Sequence, residues 1–93
     1  MSNLLTLITT SEKRKQLLFL LSKGPQEWDE IKTQMDVSAS GMLPQIRILN
    51  DEGLITKEGK EYLLTDLGQL IVDLLEPLDK TLKVIEQQKK FWQ

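Results

Sequence analysis

The groups able to do chemistry in this chain are few, and nearly all of them are charged. None of its 93 residues is a cysteine or a histidine. That removes thiol nucleophiles, disulfides, cysteine-ligated zinc and the commonest general base and metal ligand. Two carboxylate pairs remain, Asp29-Glu30 and Asp51-Glu52. Adjacent residues on a helix do not face each other, so neither pair makes an acid/base couple or a cation cage. No Gly-rich phosphate loop and no G-x-S-x-G elbow is present. An enzyme is not expected, and neither is a metal or a cofactor.

The cations are the remaining candidates: Lys13-Arg14-Lys15, Lys32, Arg47, Lys57 and Lys60. An ammonium or guanidinium can hold a phosphate, and an arginine can also read guanine in a major groove. The balance of charge opposes a strong field. The chain carries a net charge of −2, with 12 Lys+Arg against 14 Asp+Glu. From Ser11 to Lys60 eight basic residues meet eight acidic ones. Any affinity for nucleic acid must therefore come from local placement and fall steeply with salt.

Those residues need elements to position them. Met1–Thr10 is short and apolar, with Leu4, Leu5, Leu7 and Ile8, and suits a helical turn or an arm. It lacks a basic n-region, and the longest apolar run, Leu17–Leu21, is far too short to span a bilayer. A cytoplasmic protein is expected. Ser11 predicts a helix N-cap, and Gly24-Pro25 ends that helix. Trp28, Ile31 and Met35 line one face of a second helix, from Glu27 to about Met35. Trp28 is expected in the core. Gln26 before it is a poor cap, so the first-turn acids must help.

Ser38 predicts the cap of a third helix running to about Asn50. Its inner face is expected to carry Ala39, Met42, Leu43, Ile46 and Leu49, within a sector of about 120°. Its outer face is expected to carry Ser40, Gly41, Pro44, Arg47 and Ile48. Pro44 should kink the helix or move its start later. Leu54–Lys57 and Glu61–Leu64 flank a Glu58-Gly59-Lys60 turn and read as a β-hairpin, with Tyr62 packing at its base. Thr65 caps a last helix whose stripe runs through Leu67, Leu70, Ile71, Leu74, Leu75, Leu78, Leu82 and Ile85. Pro77 predicts a kink or a break near Leu75–Glu76.

The fold class that follows is mostly α with a small β-hairpin. Three helices followed by a hairpin form the winged helix-turn-helix pattern, so a three-helix core, a wing and a long C-terminal helix are expected. One domain over 1–93 is expected, with the helix-turn-helix and wing at about 10–65 and the C-terminal helix or helices at 66–93.

Two elements carry a resemblance. One is the turn Trp28-x-x-Ile31-x-x-x-Met35-x-Val37-Ser38. The other is Leu49-Asn50-Asp51-Glu52-Gly53-Leu54-Ile55, an L-x-x-x-G-L-I run leading into the wing. The chain resembles ArsR/MarR-type winged-helix transcriptional regulators. More narrowly, Ser11-Glu12-Lys13-Arg14, Gly24-Pro25, Val37-Ser38-Ala39-Ser40 and Leu43-Pro44-Gln45-Ile46 are similar to archaeal regulators typical of methanogens. In those proteins a winged-helix region precedes a larger effector or sensor domain, and a chain ending at Phe91-Trp92-Gln93 then reads as a fragment of a longer regulator.

The resemblance implies double-stranded DNA as the partner, with the Ser38 helix in the major groove and the wing on the phosphate backbone. The expected DNA-binding residues are Ser38, Ser40, Gly41, Pro44, Gln45, Arg47, Lys32, Lys57, Lys60 and Arg14. Pro44 and Ile48 offer no side-chain hydrogen bond, which suits a protein-protein interaction module without DNA binding as the alternative. The last helix is too apolar for one small domain. A homodimer interface is expected over Leu4, Leu5, Ile8, Leu74, Leu78, Leu82 and Ile85.

Overall fold

A computed structural model describes residues 3–89 of the chain. The terminal aromatics Phe91 and Trp92 lie outside the described residues. Five helices and three strands follow in the order α1 (Leu4–Thr9), α2 (Glu12–Leu21), β1 (Gln26–Glu27), α3 (Trp28–Met35), α4 (Ala39–Asp51), β2 (Ile55–Glu58), β3 (Glu61–Leu64) and α5 (Asp66–Gln87).

Polar caps set the helix starts. Asn3 Oδ1 accepts from the Thr6 N–H, Ser11 Oγ from the Arg14 N–H, Ser38 Oγ from the Gly41 N–H and Thr65 Oγ1 from the Gly68 N–H. Each satisfies a donor that the helix cannot pair internally. At α3 the cap is Glu27 rather than Gln26, and the Glu30 carboxylate accepts from the Glu27 N–H at 2.9 Å. The acids of that first turn thus supply the cap that Gln26 does not.

The core gathers Leu17, Leu18, Leu20 and Leu21 of α2 with Ile31 of α3 and Met42, Ile46 and Leu49 of α4. Leu54 and Ile55 add the wing base, and Val72 adds α5. Trp28 and Tyr62 pack against this core, half-buried. Ile8 is 2% exposed, so the chain's own core takes the side chain that was expected at a dimer interface. Ala39 and Leu43 were expected on the inner face of α4 but are exposed. The buried stripe is the narrower one of Met42, Ile46 and Leu49, because α2 and β2 pack on that side of the helix.

The sheet has three strands rather than the two of a hairpin, in the order β1-β3-β2, all antiparallel. Gln26 pairs with Tyr62 and Glu27 with Glu61. Two polar residues carry no alternation, so only the tertiary fold makes them a strand. Neither proline breaks its helix. Residues 39–51 and 66–87 are each one continuous helix, across Pro44 and Pro77. The carbonyls that lose a donor belong to Ser40 and Asp73, both exposed, where water can take the bond. No helix among the described residues is long and apolar enough to cross a membrane.

Candidate nucleic-acid interface

The α3–α4 connection is tight because Asp36 adopts a left-handed conformation, φ 52° and ψ 54°, at the end of α3. The Val37 N–H then bonds back to the Lys32 carbonyl at 3.3 Å, and Ser38 opens α4. This sequence of turns brings α4 out of the body with its start exposed. Ser38, Ser40, Pro44 and Arg47 are exposed, as the outer-face reading expects; Gly41, Gln45 and Ile48 are half-buried. The two serine hydroxyls stand 3.3 Å apart. Arg47 makes no ion pair among the described residues, Asp51 included.

Gly41 is half-buried because Lys13 of α2 reaches over it. A β-carbon at position 41 would stand 2.9 Å from Lys13 Nζ and 3.2 Å from Ser38 Oγ. The Lys13 ammonium therefore lies at the start of α4, next to the two serines. Sequence reasoning saw Lys13 only as part of a basic run and did not place it there.

The rest of that run turns inward. Arg14 Nε donates to the Leu7 carbonyl at 2.8 Å, Nη1 to Gln45 Oε1 at 3.1 Å and Nη2 to Thr10 Oγ1 at 3.4 Å. The guanidinium thus ties α1 to α4, and it holds Gln45, another expected DNA contact, through its side-chain oxygen. Lys15 Nζ lies 2.8 Å from Asp79 of α5 and 3.1 Å from Glu12. Lys83 approaches the other Asp79 oxygen at 3.1 Å. The Lys15 hydrogen bond holds the Asp79 carboxyl below its ordinary range, and Asp79 holds the Lys15 ammonium above its own. Glu12 is lowered too, first by its bond from Gln16 and then by Lys15. The signal for this division was present in the spacing. Successive helical residues are about 100° apart, so three in a row fan over about 200° and cannot share one patch.

The wing presents its lysines differently. Gly59 takes φ 61° at the β2–β3 turn, and Lys57 and Lys60 on either side are exposed. Lys57 Nζ stands 5.2 Å from the centre of the Tyr62 ring, its cross-strand partner. Such a contact stabilises the lysine while leaving its donors open. A cavity of about 200 Å³ lies between the wing and the start of α3, lined by Glu27, Trp28, Asp29, Lys57, Lys60 and Tyr62. Glu27 and Asp29 dilute the positive charge there. Lys32 is exposed on α3.

The comparisons agree with this architecture. The model of the HVO_A0261 N-terminal domain matches residues 3–87. The chain belongs to that family. It is 29% identical over 70 residues to the HTH-type transcriptional regulator MJ0925 of Methanocaldococcus jannaschii, a methanogen; the match covers 70% of this chain and 66% of that one. This family member thus spans just under two thirds of that relative's length. Among solved structures it is similar to reduced HlyU from Vibrio cholerae, at a TM-score of 0.69 and 25% identity, covering 81% of this chain and 83% of that one. The fold is the winged helix, as expected, and the resemblance is to transcriptional regulators rather than to enzymes.

Proposed function

We propose that this domain is the DNA-binding part of a cytoplasmic transcriptional regulator and acts as a homodimer on double-stranded DNA. In this reading α4 enters the major groove, with Ser38, Ser40 and Arg47 facing the bases and phosphates. Gly41, with no side chain, leaves room for the Lys13 ammonium at the start of α4, and Pro44 can meet a thymine methyl. Lys57 and Lys60 of the wing, with Lys32 of α3, hold the flanking backbone. Arg14 and Gln45 support α4 from behind rather than touching DNA. Signal sensing belongs to a further domain of the regulator. The observation that carries the reading is the exposed start of α4, where Ser38, Ser40 and the Lys13 ammonium come together, with Arg47 exposed about two turns further along the same helix and in no ion pair among the described residues.

One observation favours a second reading, a module that binds protein. Leu43 is 41% exposed beside Pro44, an apolar spot on the outer side of α4. A salt titration of binding to random duplex DNA separates the two. DNA binding predicts affinity falling with salt, and a log–log slope smaller by about 2 in Lys57→Ala/Lys60→Ala, about 0.9 for each lost phosphate contact. Arg47→Ala is expected to weaken binding as well. Absence of binding at low salt, from a folded dimer, sinks the DNA reading and favours the protein-binding one.

The dimer reading rests on α5. Leu74, Leu78, Leu82 and Ile85 are 48–68% exposed, and Leu5 of α1 is 62% exposed, with Leu4 half-buried next to it. Large apolar faces of this kind are covered in the working assembly.

A further inference from the structure

We infer that a cleft between α2 and the α3–α4 turn binds a small monocarboxylate with an apolar body, and that the bound acid weakens the hold of α4 on DNA. The second half rests on the DNA reading above; the first half does not. The cleft has a volume of about 550 Å³. Small-molecule sites run from about 300 to 1,000 Å³. Its floor is apolar: Phe19, Met35 and Val37 are half-buried and pack on the core beside Leu20. They come from α2, α3 and the turn, so the floor exists only once the helix-turn-helix has folded.

The walls are polar, and several of their groups already have partners. Gln16 Nε2 donates to Glu12 Oε1 at 2.8 Å, and Lys15 Nζ lies 3.1 Å from the other Glu12 oxygen. Gln34 Nε2 donates to Gln26 Oε1. The side chains of Lys13, Lys23 and Asp36 are left, in no ion pair or hydrogen bond among the described residues. Two free ammoniums against one free carboxylate leave one positive charge to balance. An occupant with a single carboxylate balances it, while its apolar part covers the floor.

The helix ends select the orientation. Lys13, Gln16, Leu20 and Lys23 follow at spacings of 3, 4 and 3, along one side of α2 and just past its end. Lys13 and Lys23 thus mark two ends of the cleft, about 15 Å apart along the axis. Lys13 lies in the first turn of α2 and beside the start of α4, where two helix dipoles favour an anion. Lys23 lies beside the last carbonyls of α2, which disfavour one. The carboxylate therefore pairs with Lys13, and the apolar body points toward Lys23.

Lys13 also connects the cleft to the DNA-facing helix. Its ammonium stands over Gly41, next to Ser38 and Ser40. A carboxylate paired with it sets a negative charge at the start of α4 and occupies a donor that a phosphate needs. Acid and DNA then compete for one cation, and by linkage each lowers the affinity of the other. The domain has an input of its own, besides the one assigned to a further domain.

Decanoate is the probe, followed by nitrogen-edited NMR of the chain. Saturable amide shifts are expected at Leu20, Lys23, Met35 and Val37. Decanol is expected to bind about three- to tenfold more weakly, and Lys13→Gln to weaken decanoate by the same factor while leaving decanol unchanged. Lys13 is exposed, so the fold is retained. No saturable shift, or shifts confined to Leu74, Leu78 and Leu82 of α5, overturns the site. Equal affinity for decanoate and decanol, or an unchanged decanoate affinity in Lys13→Gln, overturns the pairing with Lys13. Saturating decanoate is expected to weaken duplex binding by about three- to tenfold; an unchanged DNA affinity overturns the competition. The NMR arm uses no DNA, so a chain that binds no duplex sinks the DNA reading and leaves the assignment of the cleft standing.

Discussion

Lys15 of α2 donates to Asp79 of α5 across 2.8 Å, and Asp79 is the last residue of α5 held against the body. Both side chains are mostly covered, at 18% and 17% exposure, whereas residues 80–89 are all exposed. The pair is thus the outermost tie between the helix-turn-helix and the helix proposed to dimerise. Through Arg14, the residue before Lys15, α2 also grips α4.

This tie makes stability depend on pH at both extremes. Asp79 is held below its ordinary range, so its contribution is present at neutral pH and is lost as acid protonates it, below about pH 4. Lys15 is raised, so its contribution is present at neutral pH and is lost as alkali deprotonates it, above about pH 10.5. Asp79→Asn is expected to cost about 1 kcal/mol near neutrality. Urea unfolding across pH should show that difference vanishing below about pH 4.

Arg14 is expected to act by shape rather than by charge. Its three donors reach Leu7, Gln45 and Thr10 at once, a fork that a lysine cannot reproduce. Arg14→Lys is expected to lower the unfolding free energy by about 2 kcal/mol. In the DNA titration Arg14→Ala should leave the salt slope unchanged. A slope reduced by about 0.9 would instead place Arg14 on a phosphate.

Gly68 is where α5 leaves the wing. Thr65 N–H and Oγ1 bond the Leu54 and Gly53 carbonyls at 3.1 and 2.6 Å, which pulls the first turn of α5 onto the start of the wing. A β-carbon at position 68 would collide with the Leu54 carbonyl. The obstacle is backbone and cannot swing aside. Gly68→Ala is expected to destabilise by about 2–4 kcal/mol, read as a lower denaturant midpoint.

Asp36 carries strain at the helix-turn-helix turn, with φ 52° on a residue that has a β-carbon. Asp36→Gly is expected to stabilise by about 0.5–1 kcal/mol, and Asp36→Val to destabilise by more than that. Thermal unfolding of the two variants beside the parent chain checks both directions.

Much of this architecture was legible because it is local. Ser11, Ser38 and Thr65 announce helix starts through hydrogen bonds to backbone three residues on, and Gly59 marks the wing turn. The periodic leucines locate α2 and α5. The later helix start and the break that the two prolines suggested are absent for one reason. Pro44 was expected to kink its helix or move its start later and Pro77 to kink or break its own, yet α4 starts at Ala39, both helices run on through the proline, and each proline frees a carbonyl on a wet face, where the loss is small.

By itself the sequence determined the four longer helices, the caps at Ser11, Ser38 and Thr65, the wing and the absence of thiol and imidazole chemistry, because spacing and residue type act over a few positions. Only the tertiary structure decided what the long side chains touch. It made a strand of Gln26-Glu27 by pairing it with β3. It sent Ile8 inward and left Leu43 outside. Helical spacing splays Lys13, Arg14 and Lys15 apart, but the packing chose their partners: the start of α4, Gln45 of α4 together with α1, and Asp79 of α5. Those partners lie up to 64 residues away in sequence. Their meeting depends on how the helices pack, and no local pattern encodes it.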